Sequence, residues 1–288
     1  MGLDIANNYN AEIISADSRQ FYKELEIGTA KPNAVELDQA KHHFINSLSI
    51  NDDYDVGQFE MEAISLISQL HQRNRIVLMV GGSGLYVNAI INGIDKFPEV
   101  KEGVRSQLNE EHLEFGLTPL VDELKKLDPE YAQSADLKNP QRVIRALEVI
   151  RSSGKKFSSF RNQSKVVRPF EVIKVGLEMG RETLYNRIDK RIDLMIDAGL
   201  FDEAKKFLNQ KELNALQTVG YREIFPYLEG KYDYEEAVRL LKRNSRRYAK
   251  RQLTWFKKDS KVEWFEPHET SRIINYIDES LKRFKAEY

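Results

Sequence analysis

The strongest constraint on the fold is a set of short, β-branched apolar runs interleaved with helical periodicity. Residues 12–16 (Glu-Ile-Ile-Ser-Ala), 43–48, 76–80 (Ile-Val-Leu-Met-Val) and 172–177 read as strands. Between the second and third, Phe59, Ala63, Leu66, Ile67 and Leu70 share one helical face, and Asp55 with Gln58 is placed for a capping box. Strand alternating with helix predicts a parallel α/β sheet. From 100 to 165 the strand pattern stops. Thr118-Pro119, Asp128-Pro129 and Asn139-Pro140 each put a capping residue before a proline at the first helical position. A helical insertion over 100–165 is therefore expected between core segments 1–99 and 166–288, with Gly154 closing its third helix. Helices are expected again near 181–209 and 234–257, and Lys261 to Pro267 suit a last edge strand.

With 288 residues, 41% of them hydrophobic, the chain can bury a substantial core. Forty-four Lys and Arg against 45 Asp and Glu give a net charge of −1, so the whole-chain charge points to no partner. The absence of cysteine excludes a disulfide framework, a thiolate metal site and a cysteine nucleophile, and fits a reducing cytosol. No stretch approaches the roughly 20 apolar residues that span a bilayer, and no signal-peptide pattern opens the chain. A cytoplasmic monomer with no membrane contact is expected.

Three features carry candidate chemistry. The run Glu-Ile-Ile-Ser-Ala ends in Asp17-Ser18-Arg19-Gln20, a polar cluster at the carboxyl end of a strand, where open α/β sheets bind ligands. The same Asp-Ser pair would also cap an ordinary turn. The second is Val80-Gly-Gly-Ser-Gly84, a strand running through glycines into a helix, which exposes backbone N–H groups to an anion or simply makes a tight turn. It is not a dinucleotide fingerprint, because Val87 fills the third glycine position, and no Gly-Lys-Ser or Gly-Lys-Thr follows it. The third is basic: residues 239–258 hold nine Lys or Arg and no acid, with Tyr248, Trp255 and Phe256 interleaved. That composition suits phosphate contact with base stacking, against the alternative of a solvated helix face. Arg142 and Arg145 sit one turn apart on a capped helix. His42 and His43 point to opposite faces of a strand and are assigned no chemistry; no metal ligands are assigned.

Seven stretches in order, IISADSRQFYKELEIGTAKP, HHFI, VGGSGLY, NPQRVIRALEV, RETLYNRIDKRID, TVGYRE and AKRQLTWFKK, resemble the tRNA dimethylallyltransferases, also called tRNA isopentenyltransferases. The resemblance runs from the first residues to about 265. It implies a P-loop-NTPase-like α/β core with a helical insertion domain that contacts tRNA. It implies transfer of a dimethylallyl group from dimethylallyl diphosphate to N6 of the adenosine 3′ of the anticodon. Carried over residue by residue, Asp17 takes the proton of the adenine amine and Ser83, where the family usually has threonine, assists the diphosphate with Arg187 and Arg191. Contacts to the tRNA anticodon stem-loop fall to Asp17, Ser18, Arg19 and Gln20, and to Arg105, Gln141, Arg142, Val143, Ile144 and Arg145. Further contacts fall to Gly220, Tyr221, Arg222, Lys250, Arg251, Gln252, Thr254 and Trp255. The resemblance also implies Mg2+ as cofactor.

One departure shapes a further expectation. The family opens with a strand and a G-x-x-x-x-G-K-[ST] loop, whereas Met1 to Ile13 matches the helix that follows that loop. The chain is therefore expected to be truncated by roughly twenty residues, by comparison with the strand-loop-helix unit that motif requires, and a tRNA-binding protein without catalysis becomes the rival reading. A nucleotide kinase is the other.

Overall fold

Ile13, Ile14 and Ser15 are buried on both faces of a short strand, the pattern of a parallel strand covered on two sides, and the larger part of the chain is built around it. The structure, a computed structural model, describes residues 1–161 and 166–286. Its helices and strands run α1 (Gly2–Tyr9), β1 (Ile13–Ser15), α2 (Ala34–Gln39), β2 (His42–His43), α3 (Val56–Leu70), β3 (Leu78–Val80) and α4 (Gly84–Asn92). Then come α5 (Val104–Phe115), α6 (Leu117–Leu127), α7 (Pro129–Ser134), α8 (Pro140–Ser153), β4 (Val175–Leu177) and α9 (Arg181–Asp197). The chain finishes with α10 (Leu200–Lys206), α11 (Tyr221–Leu228), α12 (Tyr234–Phe256), β5 (Glu263–Phe265) and α13 (Thr270–Ala286). They divide into one unit of Met1–Ile91 with Arg168–Tyr288 and another of Asn92–Val167.

In the larger unit β1 is central, parallel to β2 (Ile13 opposite His42) and to β3 (Ile14 opposite Met79). Helix α3 covers it with Phe59, Ala63, Ile67 and Leu70, buried among Ile14, Phe21 and Ile90. The capping box at its start is formed: Asp55 accepts from the Gly57 and Gln58 amides at 2.7 and 2.9 Å, and the Gln58 side chain accepts from the Asp55 amide at 2.8 Å. Two expectations change. The second strand does not run to 48 but stops at His43, because Phe44 (φ 61°) and Asn46 (φ 54°) adopt left-handed backbone that no strand can hold. This turn drives the Phe44 ring against Phe59, with centroids 5.0 Å apart. The late edge strand exists as β5, but it pairs in parallel with β4, Val175 opposite Glu263, as a separate two-stranded sheet.

The smaller unit packs α5, α6, α7 and α8 around Leu108, Leu120, Leu124 and Leu147. Asp128, fully buried, caps α7 by accepting the Tyr131 amide at 3.1 Å, and Asn139 caps α8 by accepting the Gln141 amide at 3.1 Å. Gly154 closes α8 at φ 70°. Thr118-Pro119 is not a helix start: α6 begins at Leu117, directly after Gly116 turns the chain at φ 78°. Pro119 falls inside the first turn, where its missing N–H has no partner to lose. The expected insertion boundary at 165 and the last two residues of the expected core segment lie outside the described residues. Among the described residues no helix is long and apolar enough to cross a membrane.

Candidate active site

The carboxyl ends of β1 and β3 meet. The Ala16 amide donates to the Val80 carbonyl at 2.7 Å, and the Ser83 amide donates back to the Ala16 carbonyl at 3.1 Å. Gly81 lies against this junction, and a Cβ there would fall 2.4 Å from the carbonyl carbon and oxygen of Ala16. Only glycine lets the two strand ends approach this closely. Two motifs 65 residues apart are thereby joined: the Ser18 amide donates to Ser83 Oγ at 3.0 Å, and that hydroxyl donates to Ser18 Oγ at 3.2 Å. The Ser83 amide is engaged internally, so the hydroxyl is what this residue offers to an anion.

Asp17 stands half-buried at the same junction, its Oδ1 accepting the Arg19 amide at 2.9 Å. Burial pushes its carboxyl pKa upward, against the opposing pull of the Arg19 and Gln20 amides and the charges of Arg19 and Arg191. A carboxylate so placed is a stronger base than one in water. The charge of Arg191, exposed on α9, therefore acts at Asp17, and Arg187 is exposed on the same helix one turn earlier.

The two other residues of the polar cluster are tied to the protein itself. Arg19 Nη1 donates to the Asn214 and Ala215 carbonyls at 2.7 and 3.3 Å. Gln20 Nε2 donates to the Thr29 and Ala30 carbonyls at 3.3 and 3.2 Å, and its Oε1 accepts from Ser15 Oγ at 3.3 Å. In this state both brace the loop.

The end of α12 rests on the glycine turn. Gln252 Nε2 donates to the Gly82 carbonyl at 2.9 Å, and a Cβ on Gly84 would fall 2.4 Å from the Trp255 ring. Lys250, Arg251, Thr254 and Trp255 are exposed along this stretch, with Thr254 Oγ1 donating to the Lys250 carbonyl at 2.8 Å. Higher on α12 the uniform positive charge is answered from α9: Arg246 grips Asp189 through two contacts of 2.6 Å, and Lys242 meets Asp193 at 2.5 Å. Arg247, Lys250 and Arg251 stay exposed beyond these pairs.

Tyr221 is not available for an RNA contact. It is fully buried with its hydroxyl donating to Glu203 at 2.6 Å, under Gly28. Its neighbour Gly220 sits at φ 112° as the N-cap of α11, and Arg222 is exposed. In the smaller unit Val143 and Ile144 are each 1% exposed, so their side chains form core and do not face a ligand. Gln141 and Arg142 are exposed, while Arg105 and Arg145 converge on the buried Glu148, at 3.2 and 2.7 Å. Arg105 also donates to Gln141 Oε1 at 2.9 Å. Tyr248, one of the aromatics whose place among the charges suits base stacking, is exposed on α12. It lies one turn before Gln252, which holds the Gly82 carbonyl.

Among the described residues no three His, Cys, Asp or Glu stand together as a metal site. The junction holds one carboxylate, already accepting an amide, which by itself does not fit a dedicated Mg2+ cage.

The family model for IPP transferase matches residues 20–259. A tRNA dimethylallyltransferase of Christiangramia forsetii is 50% identical over 98% of this chain and 93% of its own length, and one of Cytophaga hutchinsonii is 48% identical over the same shares. The crystal structure of the full-length tRNA isopentenylpyrophosphate transferase from Bacillus halodurans superposes with a TM-score of 0.72 at 38% identity, over 99% of this chain and 93% of that one. The expected P-loop-NTPase-like α/β architecture is borne out by this likeness. The expectation of a truncated chain is corrected. The alignments span 93% of these relatives, and the N-terminal helix and strand are present and packed, with Ile5 and Ala6 buried on α1 and Ile14 at the centre of the sheet. With a family model matching most of its length and relatives near half identity along it, the chain belongs to the IPP transferase family.

Proposed function

We propose that Asp17 and Ser83 carry the chemistry of dimethylallyl transfer to a tRNA adenosine next to the anticodon, on its 3′ side. The enzyme is a prenyltransferase that uses dimethylallyl diphosphate, the activity for which its relatives are named. The bond formed joins adenine N6 to C1 of the dimethylallyl group, and the bond broken joins C1 to the diphosphate oxygen. The N6 proton passes to the Asp17 carboxylate, and the electron pair leaves with the diphosphate. An exocyclic amine is a poor nucleophile until a positioned base accepts its hydrogen, and burial of Asp17 makes it that base. Ser83 Oγ–H can turn from Ser18 to the leaving oxygen as charge builds there, with Arg187 and Arg191 on α9 to receive the diphosphate. Mg2+ is the family's expected cofactor and would neutralise diphosphate charge; every step above uses the chain's own groups.

The observation that carries this reading is the 3.0 Å bond between the Ser18 amide and Ser83 Oγ, which brings the base and the hydroxyl to one strand junction. The adenosine has to leave its stack to reach Asp17. We assign the grip on the surrounding loop to Ser18, to Lys250, Arg251, Thr254 and Trp255 on α12, and to Gln141, Arg142, Arg105 and Arg145 in the smaller unit. Asp17→Asn keeps the shape and removes the base. Single-turnover transfer to an anticodon stem-loop is expected to fall by about 10²-fold or more with RNA affinity retained. An undiminished rate would remove Asp17 as the base.

A further inference from the structure

Tyr248 is a large aromatic that the fold leaves partly uncovered. It joins none of the apolar clusters of the described residues and is 41% exposed, although it lies on the helix whose end packs against the catalytic junction. The guanidinium of Arg251 sits 5.6 Å from its ring centroid and covers part of the ring. One turn further, Gln252 holds the Gly82 carbonyl at 2.9 Å, which fixes this stretch of α12 against the turn that carries Ser83. Burial pushes the Tyr248 hydroxyl pKa upward, and the charges of Asp17 and Arg19 act on it in opposite senses, in keeping with the placement that the Gln252 contact sets.

An adenine that leaves its stack loses the faces of its neighbours, and a protein compensates by offering an aromatic plane. Around Asp17 the polar groups account for the amine and the leaving group, and the planar Arg19 guanidinium is tied down by the Asn214 and Ala215 carbonyls. Tyr248 offers an aromatic plane, held in place by a cation on one side. Resting on the function proposed above, we infer that the ring of Tyr248 is the platform on which the extruded adenine stacks while its amine faces Asp17. The ring acts, and the hydroxyl is dispensable. Trp255, 43% exposed two turns further along the same helix, packs its ring against Gly84, where a Cβ would fall 2.4 Å from it, and that contact commits it to the glycine turn.

The test uses an anticodon stem-loop with 2-aminopurine at the position 3′ of the anticodon. This base lacks the N6 amine, cannot react, and fluoresces strongly only when unstacked. Bound to the unaltered protein and to Tyr248→Phe, its emission is expected to stay low; bound to Tyr248→Ala or Tyr248→Leu, it is expected to rise severalfold. With adenine in place, kcat/KM is expected to fall about tenfold or more for the Ala and Leu variants and to stay within about twofold for Phe. Leu preserves bulk without a π face, and thermal melts confirm that each variant folds. Equal emission from the unaltered and Ala complexes overturns the inference, as does a Phe variant as impaired as Ala. Failure of the unaltered protein to transfer the group would count against the proposed function instead, and the fluorescence comparison would still decide the role of Tyr248.

Discussion

Replacing Gly81 with alanine tests whether the strand junction, and not merely the presence of Asp17, makes the site. The new Cβ would lie 2.4 Å from the Ala16 carbonyl carbon and oxygen, where ordinary contact needs at least 3.4 Å. The obstacle is backbone, so no side chain can swing away. The strand ends must part by about 1 Å, and Asp17, the next residue, moves with Ala16. A displacement of that size costs about 10²-fold in a reaction that depends on near-attack geometry. Overpacking at such a point destabilises by about 1–3 kcal/mol. Gly180→Ala is the control, since its Cβ would meet nothing closer than 3.8 Å at Thr183 Oγ1. Single-turnover transfer, anisotropy with labelled stem-loop and urea unfolding separate the effects. We expect the Gly81 variant to bind RNA within a few-fold of the unaltered protein, to transfer about 10²-fold more slowly, and to unfold at lower urea. A rate matching the Gly180→Ala control would refute the claim that close approach of β1 and β3 sets the catalytic geometry.

Further outcomes follow from the same contacts. Because burial raises the Asp17 pKa in the folded state, its contribution to stability is fully present below the unfolded value of 3.8 and is lost as pH rises through the folded value. Asp17→Asn should therefore melt at a higher temperature than the unaltered protein at pH 7, and an equal or lower melt contradicts this. Glu12 has the opposite sign: burial raises its pKa, but His43, Arg73 and Lys41 outweigh it and hold the carboxyl near 2, so its stabilisation, present above 4.5, is lost as pH falls toward 2. In acid titrations followed by circular dichroism, Glu12→Gln should flatten stability against pH in that window. Glu203 accepts the Glu26, Ile27 and Gly28 amides and the Tyr221 hydroxyl, so Glu203→Ala strands four donors and should cost roughly 3–5 kcal/mol in urea unfolding, whereas a loss under 1 kcal/mol would show those groups rehydrate. Lys250→Ala and Arg251→Ala should each flatten the slope of log RNA affinity against log salt by about 0.7–0.9, while Arg246→Ala, already paired with Asp189, should leave it unchanged.

Legibility from sequence followed the range of the forces involved. The capping box at Asp55, the proline-started helices after Asp128 and Asn139, and the Gly154 stop were readable because each is satisfied within a turn of its own residue. Thr118-Pro119 obeyed the same rule and failed, because Gly116, two residues earlier, had already set the turn. Strand 43–48 was overread because the apolar pattern cannot show that Phe44 must turn back to pack on Phe59.

The order of motifs along the chain determined the family, the carboxylate at the end of β1 and the glycine turn after β3. Tertiary structure alone decided which of those residues stay open to solvent. Arg19 and Gln20 are drawn inward by carbonyls 195 and 10 residues away, and Tyr221 is buried by Glu203. The sequence displays an unbroken basic run on α12, but Asp189 and Asp193 on α9 pair with its Arg246 and Lys242, a pairing set by how two helices lie together. Hydrogen bonds and ion pairs between distant segments leave no local signature, because either partner could equally have faced water. Only the packing of the folded chain selects between those states.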